Sequence, residues 1–259
     1  MHVAVDDIDL YAEVRGDGDA VVLLHGFPFT HRLWDETAVA LAGEYRVVAP
    51  DLRGMGASGG SAGPYLMEQL AGDLAAILDA LGIERATIVG HSLGGYVALA
   101  FARMYDARVA RLALVTSRLI ADTPEIAASR RELAARIERD GTVDRALDEL
   151  LPRLIAPRHR DSLLERTHAI ASENHPSGLA AIVRGMALRD DAHDIAEELA
   201  MPVAVIAGVE DPVIPIDEAR DIARCFPHAE LVELAGVAHL PMLEEPKALE
   251  GAVRGLLAR

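Results

Sequence analysis

Cysteine is nearly absent from this chain, because Cys225 is the only one among 259 residues. A single thiol excludes a disulfide within the chain and a cysteine-based zinc site. Cys225 lies in the helical pattern PIDEARDIARCF, so we expect it to be a small buried apolar residue.

Long apolar runs are missing as well. No stretch approaches the ~18 residues of a transmembrane helix. The first residues, MHVAVDDIDLYAEV, lack the basic and apolar regions of a secretory signal. These absences predict a cytoplasmic location and no membrane partner.

Basic residues are scarce relative to acidic ones: 25 Lys and Arg stand against 41 Asp and Glu, for a formal net charge of −16. An acidic surface repels phosphate backbones, so the composition argues against a nucleic acid partner. A hydrophobic content of 51% excludes an intrinsically disordered chain, and the length fits one α/β domain with an insertion.

Apolar strand patterns alternate with helical ones over most of the sequence, which predicts a parallel sheet with helices on both faces. Strands are predicted at 2–6 and 8–15 (a hairpin), 20–26, 45–50, 86–90, 111–117, 202–208 and 229–236. Helices are predicted near 34–42, 65–81, 92–105, 215–225 and 245–258.

The alternation breaks at residues 118–200, where several helical patterns occur without a strand. Thr123-Pro124 predicts a helix start and Gly141 a helix stop, and prolines are expected to divide the rest at Pro152, Pro157 and Pro176. The sequence therefore predicts a core of residues 1–117 and 201–259, with a helical cap insertion at 118–200.

The stretch GHSLG at 90–94 follows a predicted strand and opens a predicted helix, which is the context of a G-x-S-x-G nucleophile elbow. Such a turn holds its serine in a strained conformation, and bulky flanking side chains would collide with neighbouring elements. The helix N-terminus adds donors where an oxyanion would form. The alternative is a glycine-rich turn with a bystander serine at Ser92.

A serine nucleophile needs a histidine base and an acid that orients the histidine. In the fold that carries such an elbow, the acid comes after the serine along the chain and the histidine comes last. His239 follows the last predicted strand and Asp211 the one before it, so both lie at the sheet edge that carries Ser92. His91 is interpreted as structural. Asp211 could instead be a turn-forming residue before proline, and Asp122 is a weak alternative acid.

An oxyanion hole needs two backbone N–H donors. Leu93 supplies one directly after the serine, and the amide of Phe27 in HGFPFT is the candidate for the second, since Pro28 has no N–H. The alternative for HGFP is a plain strand-to-loop turn.

Other signals carry less weight. Gly54, Gly56 and Gly59 match G-x-G-x-x-G, but Gly63 and Pro64 continue the loop where dinucleotide binding would require a helix. Metal-ligand spacing is lacking, so neither a metal nor a cofactor is expected. Arg118, just past a strand, is a candidate to hold a substrate carboxylate, with a surface or cap-bridging role as the alternative.

Five segments in this order resemble the α/β-hydrolase superfamily, in its branch of small bacterial esterases, enol-lactonases and haloperoxidase-like enzymes. They are HGFP (25–28), PDLRGMGAS (50–58), GHSLGGY (90–96), GVEDPVIP (208–215) and GVAHLPMLEEP (236–246). The resemblance implies a mostly parallel eight-stranded sheet with a helical cap. The cap shapes the substrate pockets in this family, and it is the part that the resemblance hardly covers.

The expected function is that of a serine esterase or lactonase, a carboxylic ester hydrolase that forms an acyl-enzyme on Ser92. Its substrate would be a small-molecule ester or lactone, and its activity should rise between about pH 5 and 8 as His239 loses its proton. The alternatives are perhydrolysis or C–C bond hydrolysis with the same triad, and a ligand-binding receptor of the same fold.

Overall fold

A computed structural model describes residues 1–5, 8–60 and 63–259 of the chain. One sheet runs through it, with strands β1 (His2–Val5), β2 (Ile8–Arg15), β3 (Ala20–Leu24), β4 (Arg46–Pro50), β5 (Ala86–His91), β6 (Val109–Val115), β7 (Val203–Gly208) and β8 (Ala229–Leu234). The helices before β6 and after β7 are α1 (Asp35–Leu41), α2 (Met67–Ala80), α3 (Leu93–Met104), α9 (Ile216–Cys225), α10 (Pro241–Glu244) and α11 (Pro246–Leu257). The helices between β6 and β7 are α4 (Pro124–Asp140), α5 (Asp144–Leu154), α6 (Arg160–Ala171), α7 (Pro176–Met186) and α8 (His193–Glu198).

The eight strands lie in the order β1-β2-β4-β3-β5-β6-β7-β8. β2 pairs antiparallel with both β1 and β4, and every later pairing is parallel. β5 is buried along its whole length, and β3 and β6 are buried over their carboxyl-terminal four residues, because helices cover both faces of the sheet; this explains the apolar sequence of these stretches. This confirms the predicted fold class, and it places the carboxyl ends of β3, β5, β6, β7 and β8 at one edge.

The N-terminal hairpin has the predicted pairing. His2 lies opposite Tyr11 and Val5 opposite Ile8. The predicted strand end at position 6 lies outside the described residues. The hairpin extends the sheet beyond β4, on the side away from β5.

The segment between β6 and β7 is helical, as its sequence predicts, and it holds α4 to α8. The Thr123 side chain caps α4 by accepting the Ile126 N–H at 3.3 Å, with Pro124 in the first turn. Gly141 ends α4 in the left-handed conformation at φ 65°. Both predicted boundaries of this helix are confirmed.

Pro152 does not divide helices, so that prediction is wrong: it lies inside α5. An interior proline costs a helix about 3 kcal/mol. α5 buries Leu147, Leu151 and Leu154 on one face, and each fully buried leucine contributes about 1.5–3 kcal/mol. Burial of that face outweighs the proline, which lies near the helix end.

Cys225 also differs from its prediction, because it is half-buried at the end of α9 and its Sγ faces the Asp221 carbonyl at 3.4 Å. The buried face of α9 consists of Ala219 and Ile222 instead. Among residues 1–5, 8–60 and 63–259, no helix combines the length and apolarity that crossing a membrane requires.

A buried ion pair fastens the loop after β4 to α2. The Arg53 guanidinium donates twice to Asp73, at 2.8 Å and 2.5 Å, and both residues are buried. A second acid on the same helix, Asp79, meets Arg108 at 2.8 Å with 69% of its side chain exposed. Both pairs join an arginine to an aspartate of α2, but only the Arg53–Asp73 pair is buried.

We expect Asp73→Ala to lower the free energy of unfolding by about 3–5 kcal/mol, because it leaves the buried Arg53 guanidinium without this carboxylate. Asp79→Ala, the control on the same helix, should cost no more than about 1 kcal/mol. Urea denaturation of both variants measures the difference. Equal losses of stability would contradict this assignment.

Candidate active site

Ser92 occupies a sharp turn between β5 and α3, with φ 49° and ψ −111°. This conformation is unfavourable for a residue with a Cβ and needs support from its surroundings. The Ser92 N–H donates to the Val115 carbonyl at 2.9 Å, and the Ser117 hydroxyl donates to the Ser92 carbonyl at 2.8 Å. Strand β6 and the residues after it therefore hold both the N–H and the carbonyl of Ser92.

The small residues around Ser92 have steric reasons. A Cβ on Gly94 would lie 2.3 Å from the Leu24 carbonyl oxygen, and one on Gly90 would lie 2.4 Å from the Gly94 carbonyl oxygen. Real Cβ atoms do not approach backbone so closely, so the turn can form only with glycine at these positions. Because Gly94 lies so close to the Leu24 carbonyl, the start of α3 packs directly against the end of β3.

His239 and Asp211 meet as the sequence predicts. The His239 Nδ1 lies 2.8 Å from the Asp211 Oδ2, and the two residues are 2% and 5% exposed. The other carboxylate oxygen of Asp211 accepts the N–H groups of Val213 at 2.7 Å and Ile214 at 3.2 Å. Asp211 therefore forms the turn of D-P-V-I and orients His239 at the same time.

The His239 backbone is fixed by three elements. Its carbonyl accepts from the Thr116 hydroxyl at 3.1 Å and faces the His91 Nε2 at 2.8 Å, and its N–H donates to the Leu154 carbonyl at 3.0 Å. Thr116 also has a positive φ, 43°. Ser117, the next residue, donates to the Ser92 carbonyl, so two adjacent residues after β6 bond the backbone of Ser92 and of His239.

His91 is structural, as interpreted from the sequence, but its contact with His239 was not foreseen. A carbonyl can only accept, so the His91 Nε2 carries the proton that it gives to the His239 carbonyl. Burial, together with the nearby His239, holds the pKa of His91 well below its ordinary value. A Cβ on Gly26 would lie 2.3 Å from the His91 Nδ1, so Gly26 makes room for this ring.

The amides of Phe27 and Leu93 lie after neighbouring parallel strands, β3 and β5. Leu93 is the first residue of α3, where backbone N–H groups have no partner within the helix. His25 shapes the loop that carries Phe27, because its Nδ1 contacts the Gly26 carbonyl at 3.1 Å and its Nε2 accepts the Leu52 N–H at 3.0 Å. The burial of His25 lowers its pKa, which favours this neutral form.

Asn174 is a residue of the helical segment that sequence reasoning missed. Its buried amide donates to the Pro28 carbonyl at 2.8 Å and accepts the Gly56 N–H at 2.8 Å. It therefore joins the loop of Phe27 to the loop PDLRGMGAS. Asn174 lies in the turn between α6 and α7, and an asparagine in a turn gives no sign of so distant a bridge.

Asp51 organises that second loop. It accepts from the His31 backbone N–H at 2.7 Å, the His31 ring at 2.9 Å and the Ala57 N–H at 2.9 Å. Burial alone would lower the pKa of His31, but the hydrogen bond and charge of Asp51 raise it overall. Burial alone would raise the pKa of Asp51, but the contacts with His31 lower it overall.

Arg118 lies in an ion pair. Its guanidinium contacts Glu218 at 3.0 Å and donates to the Val213 carbonyl at 2.6 Å. These contacts join the segment after β6 to the Asp211 loop and to α9. They favour the bridging alternative over the predicted role of holding a substrate carboxylate.

A cavity of about 190 Å³ opens beside Phe27. Its apolar wall comes from α4, α5 and α7, with Leu133, Ile137, Ala146, Leu147, Leu150 and Leu179. Arg136, Glu149 and Arg153 also line it. An apolar space of about 150 Å³ holds a benzene ring, so this cavity accommodates a chain of about six to eight carbons.

A profile of the alpha/beta hydrolase fold family matches residues 19–246 of this sequence. The chain belongs to the α/β-hydrolase family. The match includes each of the predicted site residues. The predicted family is therefore confirmed, whereas the roles of individual residues stay predictions.

Several proteins similar to this chain are named esterases or lactonases. The chain is 32% identical over 242 residues to the pimeloyl-[acyl-carrier protein] methyl ester esterase of Chromobacterium violaceum, covering 91% of this chain and 93% of that protein. The solved structure of a thermophilic esterase from Thermogutta terrifontis is 35% identical, with a TM-score of 0.95 over 100% of this chain and 97% of that one. The enol-lactonase of Burkholderia xenovorans LB400 is 26% identical, with a TM-score of 0.93 over 100% of both chains. The comparisons support the predicted enzyme class, that of carboxylic ester hydrolases.

The buried His91 predicts an acid-sensitive component of stability. The pKa of His91 is lower in the folded protein than in the unfolded chain, where it is about 6.5. The contribution of His91 to the free energy of unfolding is therefore fully present above pH 6.5 and is lost as the pH falls toward the folded-state pKa. His91→Gln should therefore reduce the fall in unfolding free energy between pH 7 and 5.5. The difference is at most about 1.4 kcal/mol per pH unit.

Urea denaturation across this pH range measures the two slopes. The raised pKa of His31 acts in the opposite direction, since the contribution of His31 to the free energy of unfolding is present at low pH and lost as the pH rises. The difference between wild type and variant therefore isolates His91. Identical slopes would refute the prediction.

Proposed function

We propose that this protein is a serine hydrolase of small carboxylic esters or lactones, with Ser92, His239 and Asp211 as its catalytic triad. The observation that carries the proposal is the Ser92 turn, at positive φ, whose carbonyl is bonded by Ser117 while Thr116 bonds the backbone of His239, the partner of buried Asp211. Esterases and an enol-lactonase among its relatives agree with this substrate class.

Acylation begins when the Ser92 Oγ attacks the ester carbonyl carbon and the His239 Nε2 takes the hydroxyl proton. Nε2 is assigned because Nδ1 contacts Asp211. The carbonyl π electrons move to oxygen, which the Phe27 and Leu93 amides stabilise. When the tetrahedral intermediate collapses, the C–O bond to the alcohol breaks and His239 returns the proton to the leaving alkoxide.

Deacylation repeats these steps with water. His239 takes a proton from water, the hydroxide adds to the acyl carbon, and the bond to the Ser92 Oγ breaks. The acid is released and Ser92 recovers its proton from His239. With a lactone the alcohol stays joined to the acyl group, and a hydroxy acid is the single product.

Asp211 keeps the His239 ring in the orientation and tautomer that expose Nε2. It also stabilises the positive ring formed during each step. Its buried position and its two hydrogen bonds from the following turn limit its freedom to rotate away. An aspartate that only formed the turn would not need to contact His239. The contact of the Asp211 Oδ2 with the His239 Nδ1 therefore supports the role proposed for Asp211.

Residues 118–200 are proposed to form a cap over this site, on a core of residues 1–117 and 201–259. Two contacts support the assignment: Asn174 bonds the Phe27 loop, and Leu154 bonds the His239 backbone. The cavity between Phe27 and α4, α5 and α7 is proposed to take the acyl chain.

Ser92→Ala should lower kcat for p-nitrophenyl esters on the order of 10³-fold or more, because only the oxyanion donors and substrate binding remain. Initial rates on an acetate-to-decanoate series measure the effect. Ser129→Ala, which removes an exposed hydroxyl on α4, is the matched control and should keep wild-type rates.

Two results would separate the possible failures of this proposal. If wild type hydrolyses none of these esters but a fluorophosphonate labels Ser92, the substrate class is wrong while the nucleophile stands. If neither turnover nor labelling occurs, the enzymatic proposal fails.

Leu150→Phe should move the chain-length optimum to shorter esters, because the larger ring fills the cavity beside Phe27. Wild type should prefer acyl chains of about six to eight carbons. Leu188→Phe, at an exposed position after α7, is the control and should leave the optimum unchanged. Values of kcat/KM over the ester series test this, and an unchanged optimum in Leu150→Phe would place the acyl chain elsewhere.

A further inference from the structure

Glu244 is a buried carboxylate outside the triad, 5% exposed, at the end of α10. Its Oε1 accepts the Leu240 N–H at 2.9 Å, and its Oε2 accepts the Ala156 N–H at 2.9 Å. The Ala238 N–H lies between the two oxygens, at 3.2 Å and 3.1 Å. The carboxylate thus receives three backbone donors.

The positions of these donors are informative. Ala238 and Leu240 are the two chain neighbours of His239, so Glu244 binds the backbone on both sides of the proposed base. Ala156 belongs to the helical segment between β6 and β7, just after α5. One side chain therefore joins the His239 loop to the proposed cap.

The cap contacts the same loop in the opposite direction. The His239 N–H donates to the Leu154 carbonyl at 3.0 Å, two residues before Ala156. Leu154, Ile155 and Ala156 are all buried. Two hydrogen bonds thus join the end of α5 to the chain around His239 and Glu244: the Ala156 N–H donates to Glu244, and the His239 N–H donates to Leu154.

Every contact of the Glu244 oxygens is with an N–H donor, and this pattern suits an ionised carboxylate, which only accepts. A buried charge is unfavourable unless hydrogen bonds compensate it. A glutamine amide would turn one acceptor into a donor that faces N–H groups. The site is therefore specific for a carboxylate.

We propose that Glu244 is a positioning residue that fixes His239 through its backbone and makes its alignment depend on the cap. The proposal rests on the proposed function, in which His239 is the base. Glu244 acts at a distance from the reacting atoms, through the N–H groups of Ala238 and Leu240. A displacement of about 1 Å in a catalytic group costs on the order of 10²-fold in rate.

Glu244→Gln tests the proposal, with Glu245→Gln as the matched control. Glu245 is the next residue, and its carboxylate lies at the surface 3.4 Å from Arg158. Both changes remove one negative charge from the same loop. We expect Glu244→Gln to lower kcat, and the rate of fluorophosphonate labelling of Ser92, on the order of 10²-fold with KM changed far less. Glu245→Gln should match wild type, and Glu244→Asp should recover part of the rate.

Measurements are made well below the thermal midpoint of each variant, so that the folded fraction does not differ. If Glu244→Gln unfolds at a lower temperature but the folded protein keeps wild-type kcat and labelling rate, Glu244 is only structural and the proposal is wrong. If wild type itself is neither active nor labelled at Ser92, the proposed function has failed instead.

Ala156→Pro tests the cap contact separately. Its backbone angles, φ −56° with Ile155 extended before it, are those a proline adopts. The change removes the N–H that meets Glu244 and puts the proline Cδ in its place, so the contact with the carboxylate is broken. We expect this variant to remain folded and to lose at least about tenfold in kcat and in labelling rate. Wild-type rates in a folded Ala156→Pro would overturn the link between the cap and His239.

Discussion

The strained backbone of Ser92 is the constraint on which this site depends. A positive φ at a serine persists only where neighbours hold it, and here β6 and Ser117 hold its N–H and carbonyl. Close packing of Gly94 against the end of β3 then brings the Phe27 loop next to the start of α3. The proposed nucleophile and the proposed oxyanion donors thus share one geometric origin, which is the parallel pairing of β3, β5 and β6.

The position of His239, the proposed base, depends on a second set of contacts, some of which come from residues outside the sheet. Asp211 orients the His239 ring, whereas Thr116, His91 and Leu154 hold its backbone. The His91 Nε2 donates to the His239 carbonyl, and burial holds the pKa of this ring well below its ordinary value. Glu244 adds the N–H groups on either side of His239 to this network. The helical segment therefore contributes to the site through hydrogen bonds as well as through the cavity wall.

The sequence predicted the fold and the meeting of His239 with Asp211 because both follow from local patterns. Alternating strands and helices determine the parallel sheet, and parallel strands bring their carboxyl ends to one edge. Pro152 was misjudged because a local rule for proline ignores the burial of Leu147, Leu151 and Leu154. The contacts of Asn174 with Pro28, of Glu244 with Ala156 and of His91 with His239 were beyond prediction, since each joins residues that lie far apart in sequence.

The most direct test of the central claim is capture of the acyl-enzyme. Wild-type protein is mixed with a p-nitrophenyl ester, quenched in acid within the first turnover, digested and analysed by mass spectrometry. We expect one acyl adduct on the peptide that contains IVGHSLGGY, with the mass increase on Ser92. Product release without an adduct at Ser92, or an adduct on another residue, would contradict this claim.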